Sequence, residues 1–222
     1  MSAPRVLVVT DRAQVPQRRT VLDVVADALA AGADGVLVRE RDLPHGERAR
    51  LVDAVGALCA DAGAVLLVAA PSPPGLRTPP GTFGVHLRSR DVDRVRELDP
   101  DLVAARLVGR SCHGVADLVR AADDGLDLAT ISPVAPTPSK PGHGPALGLT
   151  GLRATLTTAR RVRRTLPAVL ALGGVDASNA RGCLEAGADG VAVMGTVMRA
   201  ADPASVTRAV VESVCAARPL VR

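Results

Sequence analysis

The chain has 222 residues, 47% of them hydrophobic, with no Trp, no Tyr and one Phe, so Val, Leu, Ala and a few Met must fill its core. Its formal net charge of +4 rests on scattered arginines without aromatic platforms, which argues against nucleic acid and for a small phosphorylated ligand. No run of about 18 apolar residues occurs, and the four cysteines show neither paired nor metal-binding spacing, so the expectation is a cytoplasmic protein with reduced thiols and no membrane association.

Aliphatic runs recur along the chain. They lie at 6–10 (VLVVT), 35–40 (GVLVRE), 64–69 (AVLLVA), 84–87 (GVHL), 105–111 (ARLVGRS), 128–132 (LATIS), 168–172 (AVLAL) and 190–194 (GVAVM). Each has the length and near-continuous apolarity of a buried parallel strand. Stretches such as RTVLDVVADALAAG and HGERARLVDAVGALCADAG separate them, with apolar positions at helical spacing. AGADGV stands at 31–36 and again at 186–191, with looser echoes at 81–87 and 124–131. In each, a helix ends at a glycine and a strand begins. Strand and helix alternating eight times predict an α/β protein, a (β/α)8 TIM barrel forming one domain over 1–222. An open doubly wound sheet would carry a glycine fingerprint after its first strand, and VVTDRAQVPQ has none. The segment 71–83 is too rich in proline for a full helix.

A barrel of this kind works at the C-terminal ends of its strands. Strand alternation puts Leu37, Arg39 and Arg41 on one side of the second strand and its exit, where a guanidinium grips phosphate in two places. The alternative is that these arginines pair with Glu40, Asp42 or a loop acid. After the fifth strand, Ser111 and His113 share one side, Arg110 and Cys112 the other; His113 has the chemistry of a proton carrier, or simply bonds the next loop. APTPSKPGHGPALG at 135–148 follows the sixth strand with Thr137, Ser139 and Lys140, an anion-gripping set, and with Gly142 and Gly144 as hinges of a lid. Gly173 and Gly174 after the seventh strand, and Met194 and Gly195 after the eighth, offer backbone N–H groups, with a helix start expected near Ser178. TIM barrels frequently bind phosphate at these last two exits.

VLVVTD, VRER, GRSCH, SPVAPTPSK, ALGGV with Asn179, and AGADGVAVM together resemble the ordered motifs of the thiamine-phosphate synthase/TenI family. The resemblance implies a barrel that binds a thiazole phosphate at its mouth. In the synthase branch a pyrimidine diphosphate loses Mg-bound pyrophosphate and the thiazole nitrogen captures the cation; in the TenI branch the thiazole carboxylate phosphate is tautomerised. Carried over by position, Arg39 and Lys140 face the anionic substrate, and Arg41 stands where synthases use Lys. Ser111, Thr137 and Ser139 match the family's hydroxyls, and Gly174, Met194 and Gly195 fall in its phosphate-binding turns.

The departures weigh on the branch. Where synthases have an Asn-Asp pair after the third strand, this chain has Ala69 and Ala70; Leu37 replaces their Gln, and Arg88-Ser89 their Gly-Gln. Asp91 remains as a matching Mg2+ carboxylate for the synthase reading. The favoured expectation is therefore TenI-like, with no cofactor. Ser132-Pro133 stands where that branch carries a histidine on strand six, so His113 or Cys112 is expected to move the proton, with Ser111 and Lys140 in the catalytic set. A synthase with a rebuilt Mg2+ site and a non-catalytic phosphate-binding regulator are the alternatives. The expected partner is a small phosphorylated substrate, and homo-oligomerisation is left open.

Overall fold

The computed structural model describes residues 2–70, 83–90, 107–137 and 145–217. Eight parallel strands close into a barrel in chain order: β1 (Val6–Val9), β2 (Gly35–Val38), β3 (Val65–Ala69), β4 (Phe83–Leu87), β5 (Leu107–Cys112), β6 (Leu128–Ile131), β7 (Ala168–Leu172) and β8 (Gly190–Val193). β8 returns to β1 with Leu7 opposite Ala192. The helices are α1 (Val21–Ala30), α2 (His45–Ala62), α3 (Val115–Asp123), α4 (Gly148–Val162), α5 (Ala180–Glu185), α6 (Gly195–Met198) and α7 (Pro203–Cys215), with a 3-10 turn at Arg12–Gln14. The eight expected strands are all present, and β1, β2 and β6 end short of their runs where Thr10, Arg39 and Ser132 turn polar at the exits.

Alternation sorts the strand residues into two cores. Leu7, Val9, Leu37, Val65, Leu67, Leu107, Leu128, Leu170 and Ala192 fill the barrel interior. The alternate positions, among them Val6, Val8, Ile131, Val169 and Val193, pack outward against the helices. With no Trp or Tyr in the chain, aliphatic side chains dominate the layers of the interior, as is common in such barrels.

The AGADGV echo has a structural meaning. Gly32 and Gly187 take φ of 99° and 108°, conformations open to glycine, so that each helix can reverse into the next strand. The aspartate two residues later accepts from the backbone of a neighbouring strand. Asp34 takes the N–H groups of Arg5 and Val6 at 2.9 and 2.7 Å, and Asp189 that of Val169 at 2.9 Å. Asp127, in the looser copy, takes that of Val108 at 2.8 Å. These clasps sit where strands begin, at the end of the barrel away from the polar exits. α1 is started by a capping box between Thr20 and Asp23, and α7 by Asp202 with Pro203 in its first turn.

Candidate functional site

The exits of β6 and β7 are sewn together. Val134 N–H donates to Leu172 O at 3.0 Å and Ala135 N–H to Gly173 O at 2.8 Å. Leu147 and Gly148 donate to Pro133 O and Val134 O at 3.0 and 2.8 Å, so the loop after β6 leaves and returns through one bonded stem. Gly173 and Gly174 have φ of 88° and 64°. A Cβ on Gly174 would stand 2.6 Å from the carbonyl oxygens of both Ala135 and Pro136, so close approach and backbone conformation both demand glycine. Asn179 Nδ2 holds Gly174 O at 2.8 Å while its Oδ1 takes Asp176 N–H at 3.1 Å. Asn179, rather than Ser178, precedes α5, and its side chain locks the turn instead of capping the helix. The N–H groups of Gly174 and Val175 donate to no atom of the described residues. Two adjacent unsatisfied donors make this turn ready to receive an oxyanion.

Thr137 is half-buried where the loop leaves this stem. Ser139, Lys140, Gly142 and Gly144 lie outside the described residues, as does Asp91. Met194 and Gly195 follow β8, whose Ala192 pairs with Leu172 of β7, so the two glycine-bearing exits are neighbours. An ideal Cβ on Gly195 would lie 2.4 Å from Nη1 of Arg199. That guanidinium also donates to Gln14 Oε1, in the turn after β1.

At the exits of β1 to β3 charge is arranged differently from the simplest expectation. Glu40 and Asp42 are bound by Arg12, with Arg12 N–H on Glu40 Oε1 at 3.0 Å, and not by their neighbours Arg39 and Arg41. Arg39 donates its backbone N–H to Thr10 Oγ1 at 3.0 Å, and its guanidinium stands 3.7 Å from Asp11. Arg41 is exposed at the same exit. Arg48, in the first turn of α2, is buried and donates Nη2 to the carbonyl of Ala69. Burial holds its pKa below the ordinary guanidinium value, and the charge of Glu40, itself only 3% exposed, partly offsets this.

Mg2+ requires oxygen ligands. The β3 exit provides the methyl groups of the buried Ala69 and Ala70, and the Ala69 carbonyl already serves a cation. Among the described residues no three His, Cys, Asp or Glu side chains gather as a metal site. The described residues of this exit do not fit the metal.

His113 follows β5 directly and is exposed. Its Nδ1 is 2.9 Å from Ser132 O, and the backbone N–H of His113 donates to Asp117 Oδ2 at 2.8 Å. A carbonyl only accepts, so Nδ1 carries the proton and the neutral ring keeps its lone pair on Nε2. Ser111 is half-buried, opposite Thr130 in the ladder. Cys112 faces outward into the helix-packed core, where burial first and the charge of Asp117 second push its thiol up to about 12. It is a packing residue, and the proton-carrier expectation narrows to His113. Arg110, also outward, is fully buried, donating to Asp124 at 3.2 Å and to Ser89 O at 3.0 Å.

Below these exits lies a residue that motif reading passed over. His86 of β4 is inside the barrel, with Nε2 3.3 Å from Thr130 Oγ1. Burial, and then the charge of Arg41, lower its pKa to about 4. Gly109 leaves it room, since a Cβ there would lie 3.1 Å from its Cδ2. Inward alternation along GVHL was the available signal.

Arg39, Arg41, Ser111, His113, Thr137, Gly173, Gly174, Met194 and Gly195 thus all stand at strand exits, at one end of the barrel. The fold and this rim define a (β/α)8 barrel whose mouth carries arginine side chains and open backbone N–H groups. The chain belongs to the thiamine-phosphate synthase/TenI family: the family described as thiamine monophosphate synthase matches residues 6–197. A thiamine-phosphate synthase of Roseiflexus castenholzii is 36% identical over 206 residues, spanning 92% of this chain and 85% of its own. One from Methanoculleus marisnigri is 34% identical over 213 residues, spanning 95% of each. The solved thiamine phosphate pyrophosphorylase of Pyrococcus furiosus superposes with a TM-score of 0.74 at 25% identity, covering 95% of each chain. The family places the protein in thiamine biosynthesis. No helix among the described residues is long and apolar enough to cross a membrane.

Proposed function

We propose that this protein receives a thiazole phosphate at its mouth and tautomerises it by proton transfer, without a divalent metal. The observation that carries this reading is at the β3 exit, where the buried Arg48 cation occupies the carbonyl of Ala69 and the described residues Ala69 and Ala70 offer a metal no side-chain oxygen. The unsatisfied N–H groups of Gly174 and Val175 receive the phosphate, and Thr137 stands at the adjoining stem. Arg39 and Arg41 attract the substrate's second anionic group across the mouth. His113 is the proton carrier. Its Nε2 lone pair takes a proton from the non-aromatic tautomer, the electrons of the broken bond enter the ring, and the imidazolium returns the proton at the other end of the conjugated system. The Ser132 carbonyl accepts from Nδ1–H throughout, fixing the ring's orientation. Product and substrate are isomers, so no co-reactant is consumed.

A second reading is that the protein is a thiamine-phosphate synthase, favoured by the names of its relatives in Roseiflexus and Methanoculleus. Incubation with the thiazole carboxylate phosphate alone, and then with a hydroxymethylpyrimidine diphosphate, each with Mg2+ and with chelator, separates the two. An ultraviolet change with the thiazole alone, indifferent to chelator, is the expected result. Thiamine phosphate formed only with Mg2+, and no tautomerisation, would reverse the order of the readings. Phosphate binding with neither reaction would leave a non-catalytic regulator.

A further inference from the structure

We propose that Asn179 is a positioning residue for phosphate binding: by holding the peptide groups on either side of Val175, it aims the Val175 N–H at the bound phosphoryl group. The inference rests on the reading that the β7 exit receives a phosphate. Asn179 Nδ2 donates to Gly174 O at 2.8 Å, and Asp176 N–H donates to Asn179 Oδ1 at 3.1 Å. A carbonyl only accepts and a backbone N–H only donates, so the amide has a single possible orientation. Its two ends engage the Gly174–Val175 peptide and the Val175–Asp176 peptide. One side chain thereby fixes both planes that meet at Val175.

A trans peptide is planar, with its C=O and N–H pointing in opposite directions. Ser132–Pro133 is the one cis bond among the described residues, so the peptides of this turn are trans. Gly174 O faces Asn179, and Val175 N–H therefore faces away from it. The preceding peptide is set from the other side: Gly173 O accepts Ala135 N–H at 2.8 Å, which turns Gly174 N–H away from the β6 exit. Glycine leaves these planes free to rotate, so the aim of each donor must come from the bond at its carbonyl end. Ala135 supplies one such bond and Asn179 the other. Asp176 N–H is already taken by Asn179, so the turn presents the N–H groups of Gly174 and Val175 alone. The Asp176 carboxylate is turned to Ser178, whose N–H and Oγ–H donate to its Oδ1 at 2.8 and 2.6 Å.

The test pairs calorimetric titration of inorganic phosphate and of the thiazole phosphate with amide proton shifts read on isotope-labelled protein, for the wild type, Asn179→Ala and Asn179→Asp, all well below their recorded melting temperatures. In the wild type, phosphate should move the amide signals of Gly174 and Val175. Loss of one aimed, charge-assisted donor predicts that Asn179→Ala binds both ligands about tenfold more weakly. The Val175 response should disappear in that variant, while the Gly174 response, set by Ala135, persists. Asp fills the same space and keeps the acceptor but has no N–H for Gly174 O, so Asn179→Asp should bind no better than Asn179→Ala. Wild-type affinity in either folded variant would overturn the proposal, as would a wild-type phosphate complex in which the Val175 signal stays still. If Gly174→Ala loses phosphate binding and Asn179→Ala keeps it, the positioning role alone is excluded. If the folded wild type binds neither ligand, the phosphate reading of the mouth falls and the role of Asn179 with it.

Discussion

His113 Nδ1 stands 2.9 Å from the carbonyl oxygen of Ser132, so the first residue after β5 is oriented by the first residue after β6. Replacing His113 with Gln removes the proposed proton carrier but leaves every group at the β7 exit. Tautomerisation is expected to fall by about a hundredfold or more, with affinity for the thiazole phosphate unchanged. Single-turnover absorbance alongside calorimetry checks this, and undiminished turnover would clear His113 of the role.

Gly174 is pinned between two carbonyl oxygens in the left-handed region. Gly174→Ala should cost about 1–3 kcal/mol from backbone strain, before any clash is counted, and should weaken phosphate binding by displacing the open N–H groups. Denaturant unfolding gives the first quantity and titration the second. An alanine variant as stable and as tight as the wild type would show that the turn has another shape.

His86 makes the fold sensitive to acid. Its folded pKa of about 4 lies below the ordinary value of 6.5. Above the ordinary value, folded and unfolded chains both hold it neutral, and it adds no pH dependence. Between the two values the unfolded chain binds a proton that the folded chain refuses, so stability falls as pH is lowered, by on the order of 3 kcal/mol over the whole interval. Urea titrations at neutral and mildly acidic pH should show a smaller loss for His86→Gln than for the wild type. Equal losses would place the acid sensitivity elsewhere.

Asp34 receives the backbone N–H groups of Arg5 and Val6, and Asp189 that of Val169. Charge-assisted bonds of this kind contribute about 1.5–3 kcal/mol, so Asp34→Ala and Asp189→Ala should each destabilise the fold by at least about that much, while neither changes phosphate affinity. Unfolding midpoints beside phosphate titrations check both, and an altered affinity in either variant would tie the clasps to the mouth.

The barrel was legible in the sequence because its evidence is local. Runs such as AVLAL and GVAVM announce buried parallel strands within five residues, and alternation alone separates inward Leu37 from outward Cys112. The glycines at 173, 174 and 195 were legible as turns because a fold-wide habit points to the last two exits. Electrostatic partnerships were not legible. Glu40 sits between two arginines in sequence yet binds Arg12, 28 residues earlier. Arg199 meets Gln14 across 185 residues. Nothing in a local window distinguishes Arg48 or Arg110, both buried, from the exposed Arg41.

Because Asp34, Asp127 and Asp189 fasten neighbouring strands at the rim remote from the exits, the cylinder is buttressed on a face that does no chemistry. Its foundation is independent of its ceiling. Loops transplanted from a related barrel onto the exit side should therefore find a scaffold already closed beneath them, and selection can rewrite the reaction without renegotiating the architecture.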